Sequence, residues 1–305
     1  MGRAVLAPPL RPAVSHSGPH CSMSRVNLFL IGVNKAGTSW LYTLLNRHPD
    51  IFMADEKELY YFGDTGRDEE APCTLEDYHA HFPFDQDHRY FGDATVMYYR
   101  HAATADAIRA YNPDAKLLAI VRDPIERLLS QFQYHKQLGI LDESTSLSEA
   151  LDGRDPELLR DSHYEETLPA YTERFGPEQF TVVSLEAGKE APDRFWRTLL
   201  DFLSLPDAPR PTDEGRPANP TGSAAFRAVY RATVRPLRRS LPGAYRWLLG
   251  HPAARTAKRA LLRVLGTAGA KADMLTPGLE ERLLDEFAPT YAYLHDLGME
   301  VYDRP

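Results

Sequence analysis

Asn27-Leu28-Phe29-Leu30-Ile31-Gly32-Val33-Asn34-Lys35-Ala36-Gly37-Thr38-Ser39-Trp40 decides how this chain folds. Residues 27–33 form a short, branched, apolar run without polar alternation, the pattern of a strand buried on both faces. From Thr38 to Arg47, Trp40, Leu41, Leu44 and Leu45 share one helical face, and Pro49 ends the run. A strand that feeds a helix through a tight glycine loop presents backbone N–H groups and the positive end of the helix dipole to one point. Such a point binds anions.

The same unit recurs downstream. Lys116–Val121 reads as a second buried strand, and Asp123 followed by Pro124 is an N-cap with proline at the first helical position, opening a helix to about Gly139. Phe91–Val96 and Phe180–Leu185 read as further strands. Helical patterns at Thr104–Tyr111, Glu165–Phe175 and Arg194–Leu203 separate them. Strands alternating with helices predict an α/β fold, a P-loop-like parallel sheet flanked by helices. After a Pro-, Asp- and Gly-rich stretch at 206–220, three helical segments (223–249, 253–265 and 279–297) predict a helical C-terminal part, the last opened by Thr276 and Pro277.

Composition bounds the rest. The chain has 305 residues, 43% of them hydrophobic, enough for a sizeable core, which excludes a disordered or fibrous protein. Residues 1–22, broken by Pro8, Pro9 and Pro12, read as a disordered tail before a single domain at 23–305. Two cysteines, Cys21 and Cys73, lack zinc-type spacing, so no metal is expected, and a reducing, cytoplasmic setting fits them. The net charge of −8 argues against a general nucleic-acid binder. Against that background Phe226–Gly266 carries ten Arg and Lys and no acidic residue. Arg227, Arg231, Arg235 and Arg238 share a helical face there, which suits an anionic acceptor, a carrier protein, a membrane surface or plain solvation.

The glycine loop departs from the nucleotide triphosphatase pattern, which puts lysine directly after the second glycine. Thr38 occupies that place, and the lysine stands two residues before the glycine, at Lys35. The second strand ends at Arg122, and Ser130 follows eight residues later, about two helical turns in. A guanidinium at a strand end can fork two phosphate oxygens while a hydroxyl meets a third. Arg127 either supports Arg122 or solvates the helix, and the second is the expectation.

Together these residues resemble the sulfotransferases that use 3'-phosphoadenosine 5'-phosphosulfate (PAPS), over roughly Asn27 to Leu203. Lys35-Ala36-Gly37-Thr38-Ser39 is similar to their 5'-phosphosulfate loop, and 32–51 is similar to the heparan-type and bacterial branch. The resemblance implies PAPS as co-substrate, held by Lys35, Ala36, Gly37, Thr38, Ser39 and Trp40 with Arg122 and Ser130 on the 3'-phosphate. It implies Lys35 as the cation that stabilises the departing oxygen, and Glu58, in Glu56–Phe62, as the acceptor's general base. Tyr60 stands where the family often has histidine. Ala94 replaces a lysine of heparan-modifying members, which argues against copying their substrate. Asp93 and Thr95 either line the acceptor site or cap a strand, and the turn 219–223, with Arg216 or Arg227, matches a late cofactor-closing loop. The implied acceptor is a hydroxyl or amine of a small molecule, glycan or lipid. The competing readings are an ATP-dependent kinase and a non-catalytic nucleotide-binding protein. None of the histidines, His48, His79, His81, His101 and His135 among them, falls in a base motif.

Overall fold

The computed structural model describes residues 25–63, 74–211 and 274–299, together with Tyr302. The tail 1–22, the turn 219–223, the helical segments at 223–249 and 253–265, the basic stretch 226–266 and both cysteines lie outside the described residues. The strands are β1 Leu28–Gly32, β2 Ile51–Met53, β3 Tyr90–Asp93, β4 Lys116–Val121 and β5 Phe180–Ser184. The helices are α1 Thr38–Leu45, α2 Leu75–His79, α3 Ala102–Tyr111, α4 Pro124–Leu138, α5 Pro169–Phe175, α6 Leu185–Glu190, α7 Pro192–Phe202, α8 Pro277–Glu286 and α9 Ala288–Asp296. Shorter helical turns fill the stretch between α4 and α5.

All strand pairings are parallel, in the order β2-β3-β1-β4-β5. Alternation along each strand sends side chains to opposite faces. Phe29, Ile31, Leu117, Ala119 and Val121 join Ala105 and Ile108 of α3 and Tyr171 and Phe175 of α5 on one face. Leu28, Leu30, Leu118 and Ile120 join Leu41, Leu44 and Leu45 of α1 and Phe195, Trp196 and Leu199 of α7 on the other. Each of the Leu, Ile, Val and Phe side chains among them contributes about 1.5–3 kcal/mol when fully buried, so the sandwich of layers holds the sheet from both sides. Outside it, Ile125, Leu128, Leu129 and Phe132 of α4 pack with Leu283 and Phe287 of the C-terminal helices.

The chain leaves β1 toward β2 and leaves β4 toward β5, so the strand order reverses between these two neighbours. In open parallel sheets a crevice forms outside the carboxyl ends at such a point. Here those ends are the glycine loop and Arg122, and they are joined directly: the Val33 amide donates to the Ile120 carbonyl at 2.9 Å.

Several expected boundaries move. β2 was not among the expected strands; it is three residues long and owes its extended form to pairing with β3. The Phe91–Val96 strand begins at Tyr90 and ends at Asp93. Leu185 opens α6 rather than closing β5, because the Ser184 side chain accepts the Ala187 amide as an N-cap. The expected helix 165–175 is interrupted before Pro169, and that at 279–297 breaks between Glu286 and Ala288, with proline in the first turn of the new helix in each case. α4 runs as expected, with the Glu126 amide bonded to the Asp123 carboxylate and Gly139 closing it at φ 70°.

Candidate active site

The glycine loop turns on Gly37, the N-cap of α1, whose φ of 102° lies in the left-handed region that glycine adopts without steric cost. A Cβ there would also meet Leu185 Cδ1 at 2.8 Å. α1 carries no acidic residue in its first turn, so its dipole keeps its positive end uncompensated within the helix. Ala36 is buried, Lys35 and Ser39 are half-buried, and the buried Thr38 hydroxyl accepts from Lys57 Nζ at 3.3 Å. Trp40 packs its ring against Phe195 of α7, 5.2 Å between centroids.

Lys35 places its ammonium 4.0 Å from the centre of the Tyr134 ring. Burial pushes its pKa down to about 8, and repulsion from Arg122, Arg127 and Lys57 adds to the effect. The loop therefore gathers cations that destabilise one another. That is the electrostatic condition of a site built for an anion.

Arg122, half-buried at the end of β4, is held by Glu126 Oε2 at 2.8 Å and lies 3.9 Å from Glu186 Oε1. Its Nε is buried and has no hydrogen-bond partner among the described residues. Ser130 is half-buried on α4. Arg127 departs from expectation. It is fully buried, donates from Nε to the Ser162 hydroxyl at 2.5 Å and from Nη2 to the Leu158 carbonyl at 2.6 Å, and so ties the 158–162 turn to α4 instead of solvating the helix.

Glu58 lies in a segment with neither helix nor strand, and its Oε2 is buried without a hydrogen-bond partner among the described residues. Lys57 links that segment to the glycine loop through Thr38, so two motifs separated in sequence meet. Asp93 is fully buried at the end of β3, bonded by the hydroxyls of Thr95, Tyr98 and Tyr78. It braces the strand end rather than facing an open pocket. Ala94 is a core residue, so the position where heparan-modifying members carry a cation holds a buried methyl group.

Sequence reading missed four participants. Tyr134 stands one turn beyond Ser130, and that spacing was the available signal. Lys57 had none beyond its neighbour Glu58. Gln131 accepts from Asn34 of the loop at 3.1 Å and contacts His135, which in turn is paired with Asp155. Glu186, whose carboxylate also accepts from Tyr302 at 2.6 Å, completes the surroundings of Arg122.

The family profile of the sulfotransferase domain matches residues 25–214, more than half of the chain. The chain belongs to the sulfotransferase family. It is 32% identical over 114 residues to the membrane-associated sulfotransferase kil1 of Dictyostelium discoideum, a match covering 36% of this chain and 23% of that one. It is 31% identical over 103 residues to mouse (Mus musculus) heparan sulfate glucosamine 3-O-sulfotransferase 5, covering 34% of this chain and 29% of the relative. The match thus spans less than a third of either relative. In fold it is similar to a sulfotransferase from Alicyclobacillus acidocaldarius, with a TM-score of 0.55, 24% identity, and 71% and 94% of the two chains covered. The mouse sulfotransferase SULT7A1 complexed with PAP gives a TM-score of 0.51 at 16% identity over 87% and 83% of the two chains. No described helix is long and apolar enough to cross a membrane.

Proposed function

We propose that this chain transfers a sulfuryl group, taking it from PAPS and passing it to a hydroxyl or amine of a small-molecule, glycan or lipid acceptor. The observation that carries the reading is the meeting of Lys35 and Arg122 at the carboxyl ends of adjacent strands, with Arg122 Nε buried, 3.9 Å from Glu186 Oε1 and without a hydrogen bond among the described residues. A buried donor left without a hydrogen bond is costly, and a phosphate oxygen at closer range than Glu186 would satisfy it. The cation-rich, mutually repelling loop fits a polyanionic nucleotide in the same way.

In this reading the Gly37, Thr38 and Ser39 amides hold the 5'-phosphate, with Ala36 and Trp40 shaping the loop around it, while Arg122 and Ser130 hold the 3'-phosphate. PAPS, when bound, supplies the sulfuryl group and departs as 3'-phosphoadenosine 5'-phosphate (PAP). Lys35 donates a hydrogen bond to the oxygen that gains charge as the sulfur leaves, in the way fixed dipoles and cations stabilise such transfers. Glu58 takes the acceptor's proton through its unbonded Oε2, a role that contributes about 10²–10⁴-fold. The methyl of Ala94 supports an acceptor other than heparan, and the basic stretch 226–266 supports contact with an anionic acceptor, partner or membrane surface.

Calorimetric titration with PAP, ADP and ATP–magnesium on the wild type and on Arg122→Ala tests the donor. PAP is expected to bind tightly without metal, and the substitution to weaken it about 10- to 100-fold, the loss of one or two charge-assisted hydrogen bonds. Preference for ATP–magnesium would overturn the reading. Glu58→Gln is expected to keep PAP affinity while turnover falls, and unchanged turnover would remove Glu58 as base.

A further inference from the structure

The Glu58 segment poses a problem of backbone accounting. It runs from Glu58 to Phe62 outside any helix or strand, so its amides have no ladder to donate into, yet buried amides are almost always paired. Four consecutive amides find just two acceptors. Leu59 and Tyr60 donate to Thr95 Oγ1 at 3.1 and 3.3 Å, and Tyr61 and Phe62 donate to Tyr98 OH at 3.0 and 3.2 Å.

A hydroxyl oxygen that accepts two amides must send its own proton elsewhere. Both protons go to one carboxylate. Thr95 donates to Asp93 Oδ1 at 2.7 Å and Tyr98 to Asp93 Oδ2 at 2.9 Å, with Tyr78 also on Oδ2 at 3.1 Å. No cation pairs with Asp93 among the described residues, so these hydroxyls compensate its buried charge.

We propose that Asp93 is a positioning residue of the transfer site: it aims the Thr95 and Tyr98 hydroxyls so that their oxygens grip the backbone from Leu59 to Phe62 and hold Glu58 in place. An ionised carboxylate only accepts hydrogen bonds, whereas an amide or a protonated acid would turn a donor toward one of the hydroxyls and release an amide behind it. Burial lifts the Asp93 pKa to about 6, with the charge of Glu58 adding, while the Thr95, Tyr98 and Tyr78 hydroxyls pull it down, so it is ionised at neutral pH. The titratable groups facing it are Tyr78 of α2, Tyr98 after β3, Tyr111 of α3 and Glu58 itself. Ring packing is the rival explanation for the same order, since Tyr61 stacks on Tyr78 at 4.3 Å and Phe62 meets Tyr78 and Tyr98 edge-on. Substitutions that keep the rings and remove only the polar atoms separate the two. The catalytic consequence rests on the proposed role of Glu58; the geometric claim does not.

The test is amide hydrogen exchange on the full chain. Asp93→Asn is expected to speed exchange at residues 59–62 at least about tenfold, Thr95→Val at Leu59 and Tyr60, and Tyr98→Phe at Tyr61 and Phe62, while Leu117–Ile120 of β4 stay protected. Thr95→Ser, which keeps the hydroxyl, should exchange like the wild type. Unchanged protection at 59–62 in all three variants would leave packing as the cause and overturn the proposal. If Asp93→Asn fails to fold, Thr95→Val against Thr95→Ser decides alone. Release of PAP from PAPS with water as acceptor gives the catalytic readout. Asp93→Asn should lower kcat and leave KM for PAPS within about twofold; an equal rise in KM would count against positioning. Should Glu58→Gln leave that rate intact while the exchange pattern holds, the base assignment fails and the positioning network stands. Should PAP not bind the wild type, the donor reading fails instead.

Discussion

At the scale of single residues, the proposed chemistry turns on the balance at Lys35. Its ammonium rests on the Tyr134 ring, a contact worth about 0.5–2 kcal/mol that keeps the cation at the loop while burial and three other cations oppose its charge. With its pKa lowered to about 8, Lys35 is charged at pH 7 and loses its proton as the pH rises through that value. A bound phosphate favours the charged form. PAP affinity is therefore expected to fall above pH 8, and binding at pH 8 to take up a proton, seen as a dependence of the calorimetric enthalpy on the buffer's ionisation heat. Lys35→Ala should abolish the proton uptake and weaken binding about tenfold or more. Proton uptake unchanged in the variant would assign the effect to another group. The places of Lys35 in the loop and of Arg122 at the strand end were readable in the sequence because loop and strand end are local. The burial of Arg127 was not, because it depends on a turn thirty-odd residues away that folds across α4.

Among the elements, β1, α1, β4 and α4 were legible because each is an apolar run bounded by an unambiguous stop signal, glycine, proline or an Asp-Pro cap. β2 was not, since three residues carry no periodicity and pairing with β3 decides their shape. The site divides the same way. The loop and Arg122 are sequential motifs, whereas the Asp93 hydroxyls come from Tyr78, Thr95 and Tyr98 and meet only in the folded chain. The C-terminal helices add a titratable staple. His163 bonds Glu165 through Nδ1 at 2.9 Å and Glu286 of α8 through Nε2 at 3.2 Å, while Thr290 of α9 donates to Glu165 at 2.7 Å. The hydrogen bond to Glu165 leads in raising the His163 pKa above its usual value, despite the opposing effect of burial. A histidine with a raised folded pKa adds stability that is fully present below about pH 6.5, its unfolded value, and is lost as the pH rises through the folded value. Protection of the α8 and α9 amides, corrected for intrinsic exchange, should thus be higher at pH 6 than at pH 8.5. His163→Gln should flatten that difference, and a difference that survives it would move the staple elsewhere.

Over the whole molecule, the proposed donor sets an acidic chain to bind a polyanion, so recognition has to be local and screened by salt. Lys35, Lys57 and Arg122 supply the local charge at the ends of the two central strands. Those strands are also the middle of both hydrophobic layers, with Leu30 and Ile120 facing one and Ile31 and Val121 the other. Opening the sheet would therefore disperse the site. Ligand binding should then appear in global stability: PAP at about a hundred times its Kd adds roughly 2.7 kcal/mol, or about 4 °C in Tm for a 305-residue chain. ADP, which lacks the 3'-phosphate, should give a smaller shift at the same concentration, and Arg122→Ala should remove most of the difference between them. If PAP and ADP shift the wild type equally, Arg122 and Ser130 do not read the 3'-phosphate, and the strand-end arginine is bracing Glu126 and Glu186 instead of waiting for a ligand.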